Sequence, residues 1–416
     1  MKADLNGGMP ADLARITEDL SELVAIPSVT GSERRIQEVM AGYMEELTLD
    51  VEVIEIDIDS LSQDPDFPGT EVPRNDLVVV AGRYDTGRPG SRRLLLGHVD
   101  VVPPGEESTW TSPAFEPRVI DGRLYGRGAC DMKGGVVAMF EAVRVAMESG
   151  DRLSGEIVLV AVPSEEDGGA GTLAAIRAGY TADMAVIPEP TNLEIVVAHA
   201  GAITFTLSVP GKAAHASMRR EGVSALDKLY LLIEELRADE AARNGEETHP
   251  LMRAIGLPYP TIIGQVEGGS WASTVMDKVE ADGRYGVRLG QDCDDAAGEL
   301  RTAISRAWND DEWLSQFPVG LEIWGGRFDS SYIDVAHPLA TSLADATERV
   351  TGERSPLVGV PYGADMRLLI NQGNTPTVMY GPGDVRVAHA ADEHVALDEV
   401  ATVADTLASW LLDDDV

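Results

Sequence analysis

Between Arg92 and Glu189 a short apolar run breaks off three times into a loop carrying ionisable side chains. Leu94-Leu95-Leu96 ends in Gly97-His98-Val99-Asp100. Glu156 to Val162 ends in Pro163-Ser164-Glu165-Glu166-Asp167-Gly168-Gly169, and Met184 to Ile187 ends in Pro188-Glu189-Pro190-Thr191. Helical periodicity over Met132–Ser149 and Ala170–Ala178 separates these runs, so strand, acidic loop and helix repeat. That order specifies an α/β layer, in which ligands bind in the crevice outside the strand carboxyl ends. Side chains alternate along a strand, so His98 and Asp100 project to one side, where one can bind a metal and the other orient it.

The 416 residues suffice for two domains, and 44% apolar with 25% charged residues is ordinary globular composition. The 33 basic against 70 acidic residues give a formal charge of −37, which repels polyphosphate and anionic lipid and argues against nucleic acid or a membrane surface as partner. Lysine supplies only five of the basic residues, a pattern that fits a salt-adapted or GC-rich source. Two cysteines, Cys130 and Cys293, make no disulfide framework or zinc spacing, and a reducing cytoplasm is the plain inference. Met1 to Ala14 contains acidic residues and no apolar core, and nowhere do 18 apolar residues run together, so a soluble, unexported protein is expected.

In chain order, Pro10–Leu23 and Ser32–Leu47 read as helices, with Ser32 capping the second, and Val51–Ile58 reads as a half-exposed strand. Ser60–Arg74 reads as a surface loop; Asp76–Arg83 and Arg92–Leu96 follow as strands. From about Gly201 the texture changes. Strand Ile203–Val209, helix Ser224–Ala241, strands Thr261–Glu267 and Lys278–Leu289, helix Cys293–Trp308 and strand Val319–Trp324 give the split βαββαβ order of a ferredoxin-like domain, residues 201–324. Ala242–Pro260 is expected as a long loop within it. The first domain, residues 1–200, resumes over 325–416 with helices Pro338–Thr351 and Ala364–Gln372, strand Thr377–Tyr380 and helix Leu397–Leu412; an acidic tail, Asp413–Asp415, follows.

The His and carboxylate residues in loops after predicted strands are His98, Asp100, Asp131, Glu165, Glu166, Glu189 and His389. Three carboxylates and two imidazoles, with a further acid to handle a proton, are what two zinc-class ions about 3.5–4 Å apart need. Singly, Glu165-Glu166-Asp167 reads more often as a solvated acidic turn or helix start, Glu189 as a loop charge and His389 as a surface residue.

Gly97-His98-Val99-Asp100, Gly128-Ala129-Cys130-Asp131-Met132-Lys133-Gly134, Glu165-Glu166, Pro188-Glu189-Pro190-Thr191 and Ala388-His389-Ala390-Ala391-Asp392-Glu393 occur in the order and spacing of the M20 metallopeptidases. That family includes acetylornithine deacetylase, succinyl-diaminopimelate desuccinylase, aminoacylase and glutamate carboxypeptidase, and the resemblance covers nearly the whole chain. It implies a zinc-peptidase-like α/β catalytic domain with a mixed central sheet, and an inserted ferredoxin-like domain serving as lid and dimerisation surface. It further implies that His98 and Glu189 bind one metal ion and Glu166 and His389 another, with Asp131 bridging. The ions would be zinc, with cobalt or manganese as alternatives. Asp100 would orient His98, Glu165 would be the general base, and the Asp131–Met132 peptide would be cis.

In the insert, Gly211-Lys212-Ala213-Ala214-His215-Ala216-Ser217 resembles the lid motif whose His stabilises the oxyanion in a partner subunit's site, which implies a homodimer. Arg288, or Arg284 near it, stands where related lids bind the substrate carboxylate, and Asp365 and Arg367 resemble a segment lining the substrate pocket. Ser273-Thr274-Val275-Met276-Asp277 departs from the Asn and Pro of many relatives. Glu at position 189 leans toward the deacylase branch. The resemblance thus implies a metal-dependent hydrolase of N-acyl amino acids or related small amides. Alternatives are a dipeptidase or carboxypeptidase with the same metals, and a catalytically silent binding relative. Dinucleotide, P-loop and hydrolase-elbow motifs are missing.

Overall fold

A computed structural model describes residues 10–413 except 75, 151 and 152; the positions before Pro10 and the acidic tail beyond Asp413 lie outside the described residues. The chain divides into two compact units. One comprises the residues up to Val197, Tyr332–Val358 and those from Ala364 on; the other comprises Ala198–Ser331 and Gly359–Gly363.

The first unit begins with α1 (Leu13–Val24), whose Ile16, Leu20, Leu23 and Val24 form a buried stripe and whose N-terminus is capped by the Asp12 carboxylate. The second helix, α2 (Arg34–Glu46), has no side-chain cap: Ser32 is exposed, and Glu33 at the cap position turns its carboxylate to the Gly31 amide. The strand expected to reach Ile58 stops earlier, as β1 (Asp50–Glu55), because Asp57 caps a one-turn helix, α3 (Ile58–Leu61). β2 (Val78–Asp85), β3 (Arg92–His98) and a hairpin of β4 (Arg118–Ile120) and β5 (Arg123–Tyr125) follow. The helix expected from Met132 starts later, as α4 (Gly134–Glu148), because Asp131 and Met132 have non-helical φ/ψ and their peptide is cis. Next come β6 (Glu156–Val162), α5 (Ala170–Arg177), β7 (Met184–Ile187) and β8 (Ile195–His199).

The second unit runs β9 (Gly201–Pro210), α6 (Ala225–Gly245), α7 (Pro250–Ile255), β10 (Thr261–Gly268), β11 (Lys278–Val287), α8 (Cys293–Asp310) and β12 (Gly320–Phe328). Its sheet has the order β10-β11-β9-β12, every pair antiparallel, which is the ferredoxin-like arrangement. Phe205, Leu207 and Val209 of β9 pack with Leu229, Leu232 and Leu236 of α6 and Leu300 and Ile304 of α8 in one core. The long loop expected over Ala242–Pro260 is filled by the C-terminal turn of α6 and by α7, which opens on Pro250 and buries Met252.

The chain closes with β13 (Ser331–Tyr332), α9 (Pro338–Thr351), β14 (Leu357–Val360), α10 (Met366–Asn371), β15 (Thr377–Met379), β16 (His394–Ala396) and α11 (Leu397–Leu411). The large sheet has the order β1-β2-β6-β3-β7-β15-β8-β13, with β14 also on β8, and is mixed: β6, β3, β7 and β15 are mutually parallel, while β1, β2 and β8 pair antiparallel. β3 and β6 are buried along nearly their full length, because helices cover the sheet: α4 packs on β3 and α9 on β15, while α2 and α5 pack on β2 and β6. The parallel strands therefore deliver the loops after His98, Val162, Ile187 and Met379 to one edge of the sheet.

Candidate metal centre

His98, the last residue of β3, is 1% exposed, and its two ring nitrogens face different partners. Nδ1 lies 3.0 Å from the carbonyl oxygen of Asp100 and 3.6 Å from its carboxylate, whereas Nε2 lies 3.1 Å from Asp131 Oδ1 and 3.8 Å from Glu189 Oε2. A proton on Nδ1 donated to the Asp100 carbonyl leaves Nε2 as a lone pair aimed at the carboxylates.

Asp131 turns its other oxygen the opposite way, 3.4 Å from His389 Nε2, and that nitrogen is also 3.1 Å from Glu166 Oε2. Two groups result, His98–Asp131–Glu189 and Asp131–Glu166–His389, in each of which the potential ligand atoms lie within 4.8 Å of one another, and Asp131 belongs to both. Glu189 enters from the loop after β7, which pairs in parallel with β3. This loop can approach because α4 begins with two glycines: a Cβ on Gly135 would run into the Pro188 carbonyl oxygen. Ser164 and His389, with φ of 72° and 60°, lie in the left-handed region that residues other than glycine seldom adopt, as often happens at functional sites.

The electrostatics are those of a site short of positive charge. Burial disfavours the protonated His98 ring, but Glu189, Asp100 and Asp131 outweigh it and hold its pKa well above the ordinary value. Hydrogen bonds donated by the His389 ring to the Asp131 and Glu166 carboxylates raise its pKa to about 11. Burial pushes Glu189 up to about 8, against the pull of His98. Glu166 is pushed up by burial and by Asp131, while Asp131, despite its burial, is held low by the two imidazoles. Glu165, 8% exposed, has its pKa held well above the ordinary value by burial and by Asp365, Glu189 and Glu166, against the pull of His98. The positive charges that act most strongly on Asp131, Glu166 and Glu189 are the imidazoles of His98 and His389. Converging nitrogen and carboxylate oxygen donors, buried at His98 and Glu189 and open to solvent at His389, fit a pair of divalent ions.

The carboxylate of Asp100 has a further task that the sequence did not reveal. It accepts the backbone amides of Glu165 at 3.1 Å and Glu166 at 3.2 Å, and the Thr30 hydroxyl at 3.1 Å, so it ties the turn after β6 to the end of β3. The same turn is held from behind by Arg74, 1% exposed in its side chain, which pairs at 2.7 Å with both Glu33 and Asp167. Asp167 also accepts the Ser164 hydroxyl at 2.5 Å. Residues 33, 74 and 167 share no local pattern, and only the fold brings them together.

Asp365 and Arg367 are fully buried. Arg367 donates to the Gly168 carbonyl at 2.6 Å and the Ala364 carbonyl at 2.9 Å, and Asp365 accepts from the Thr172 hydroxyl at 2.5 Å, so these polar groups brace the start of α5. In the second unit His215 is exposed, with Nδ1 2.8 Å from the Ser217 hydroxyl and its backbone bridged to Thr274. Arg288 is ion-paired with Glu299 and, at 3.5 Å, with Glu246. Arg284 is exposed, its guanidinium 5.3 Å from the centre of the Phe328 ring.

The profile of peptidase family M20/M25/M40 matches residues 94–413. An N-formyl-4-amino-5-aminomethyl-2-methylpyrimidine deformylase of Bacillus subtilis is 27% identical over 400 residues, covering 90% of this chain and 89% of its own. An acetylornithine deacetylase of Yersinia pseudotuberculosis is 27% identical over 390 residues, covering 90% of each. Among solved structures, an M20 family metallo-carboxypeptidase of Sulfolobus solfataricus superposes with a TM-score of 0.75 at 16% identity, over 95% of this chain and 98% of the other, a likeness of fold.

Proposed function

Because the chain belongs to peptidase family M20/M25/M40, we propose that it is a metal-dependent hydrolase of linear amide bonds, acting on an N-acyl amino acid or a related small amide. The observation that carries this reading is the position of Asp131, one oxygen toward His98 and the other toward His389, at the junction of the two clusters. In this reading His98 and Glu189 hold one ion, Glu166 and His389 the other, and Asp131 both; zinc is the first candidate, with cobalt or manganese as substitutes. Bound there, such ions supply Lewis-acid polarisation of the amide carbonyl and lower the pKa of water. Glu165 takes the proton of the attacking water and delivers it to the amine nitrogen as the C–N bond breaks, a task suited to a buried carboxyl whose pKa is raised above the ordinary carboxylate value.

The inserted unit is read as the homodimer surface, with His215 of the partner subunit meeting the oxyanion. Arg284 is preferred over Arg288 for the substrate carboxylate, because Glu299 already neutralises Arg288. The deacylase reading draws on the deformylase and deacetylase relatives and on Glu at position 189. A panel of N-acetyl, N-succinyl and N-formyl amino acids beside dipeptides tests it. Turnover of acyl amino acids above dipeptides is expected, and the reverse order would make the protein a peptidase. Glu165→Ala is expected to keep its metal while losing on the order of 10²–10⁴-fold in kcat. Full activity in that variant would remove Glu165 from the proton-transfer role.

A further inference from the structure

We propose that Glu393 is a positioning residue that rivets the backbone carrying Asp131 to the segment carrying His389, so that the His389 cluster is assembled before an ion arrives. This rests on the metal reading above. Glu393 follows His389 by four residues and is 1% exposed. Its Oε1 accepts the amides of Cys130 at 3.0 Å and Asp131 at 3.1 Å, and its Oε2 is ion-paired with Arg127, itself 2% exposed. Both carboxylate oxygens are thus used, one on the turn that presents Asp131 and the other on a buried guanidinium lying 5.2 Å from the centre of the Trp110 ring.

The surrounding contacts extend the same join. The Gly126 amide donates to the Glu393 carbonyl at 2.9 Å, β16 pairs with β5, and Asp392 accepts the amide and hydroxyl of Thr111 at 2.8 and 2.7 Å. Charge-assisted bonds from a buried carboxylate to backbone amides are strong, and the Arg127 pairing offsets the cost of burying the charge.

The two clusters depend on this rivet unequally. His98 and Glu189 leave the ends of β3 and β7, strands hydrogen-bonded to each other in the central sheet, so their spacing is set by the sheet itself. His389 has no such support: it lies between the 3₁₀ turn Val385–Val387 and β16, with φ of 60°. Its placement relative to Asp131 is therefore set by Glu393, with the β16–β5 pairing and the Asp392–Thr111 bonds beside it. The acceptor oxygen and the ion pair also do separable work. The oxygen places the backbone, and the charge stabilises the fold.

Co²⁺ titration of metal-free protein, followed by calorimetry and by visible absorption, tests this, with His389→Ala identifying the equivalent that belongs to the His389 cluster. In Glu393→Ala the affinity of that equivalent should fall about 10–100-fold, and that of the other equivalent less. In Glu393→Gln, which keeps an acceptor for the two amides, that affinity should stay close to wild type while the melting temperature of the metal-free protein drops, because Arg127 loses its counter-charge. Equal weakening of both equivalents in Glu393→Ala, no weakening of either, or a Gln variant as weak as the Ala variant would each overturn the inference. Should Glu393→Ala fail to fold, Glu393→Met, which fills the space but offers the two amides no carboxyl oxygen, takes its place with the same expected fall and the same refuting results. A wild-type chain that takes up no ion refutes the metal reading and the inference together, whereas a normal wild type with an unaffected Glu393→Ala refutes only the inference.

Discussion

Loading the metal-free centre must expel protons, and the surroundings of each side chain give their number. A ligand must be deprotonated to coordinate. At pH 7 His389, raised to about 11 by Asp131 and Glu166, is protonated, and His98 is shifted in the same direction by Glu189, Asp100 and Asp131. Glu189, pushed to about 8, carries its proton in roughly nine molecules of ten. Asp131, held low by the two imidazoles, carries none. Two ions should therefore displace at least about two protons per chain at pH 7, one from His389 and nearly one from Glu189, with His98 and Glu166, both shifted up, adding to that number. Since each proton changes the apparent binding constant about tenfold per pH unit, the product of the two constants should rise at least about 100-fold per unit around pH 7 and more gently above about 8. Calorimetry at one pH in buffers of different ionisation enthalpy counts the protons directly. Fewer than two released would refute the assignment of both imidazoles as ligands. The sign for the metal-free fold is opposite. His389 has a folded pKa raised above its unfolded value of about 6.5, so its contribution to stability is complete below that pH and is lost as pH rises toward about 11.

Arg74→Met should destabilise the protein by about 3–5 kcal/mol in chemical denaturation, because it leaves the buried Glu33 and Asp167 carboxylates without their counter-charge; a loss under 1 kcal/mol would show that the network does not hold the Ser164–Asp167 turn. Gly135→Ala should cost both stability and metal affinity, measured by thermal melting and metal titration, since its Cβ meets the Pro188 carbonyl beside Glu189. With a formal charge of −37, raising KCl from 0.1 to ~2 M should raise the melting temperature by screening self-repulsion; an unchanged melting temperature would remove surface charge as a determinant of stability.

Much of this could be read from sequence, for identifiable reasons. β6 and β7 match their expected bounds, because apolar runs ending at Pro163 and Pro188 leave little choice of boundary. The ferredoxin-like order of the insert was legible from long alternating strands. Short elements were not: β4, β5 and β16 have three residues each, too few to show a period, and α7 opens with a proline in a polar stretch. β8 escaped because Ile195–His199 is a brief apolar run close to β9. In the site, residues delivered by strand ends could be named one by one. What holds them could not: the amides on Asp100, the Arg74 pairs and the double use of Glu393 join positions far apart in sequence. Buried polar partners of this kind are chosen by the tertiary fold and leave no local periodicity.

The central claim is that one carboxylate serves two ions. Metal content per chain after loading with Zn²⁺ and gel filtration, compared among wild type, His389→Ala and Asp131→Ala, tests it most directly. The account predicts two ions in the wild type, one in His389→Ala and neither retained in Asp131→Ala, with all three chains folded by circular dichroism. An Asp131→Ala protein that still holds two ions would contradict it.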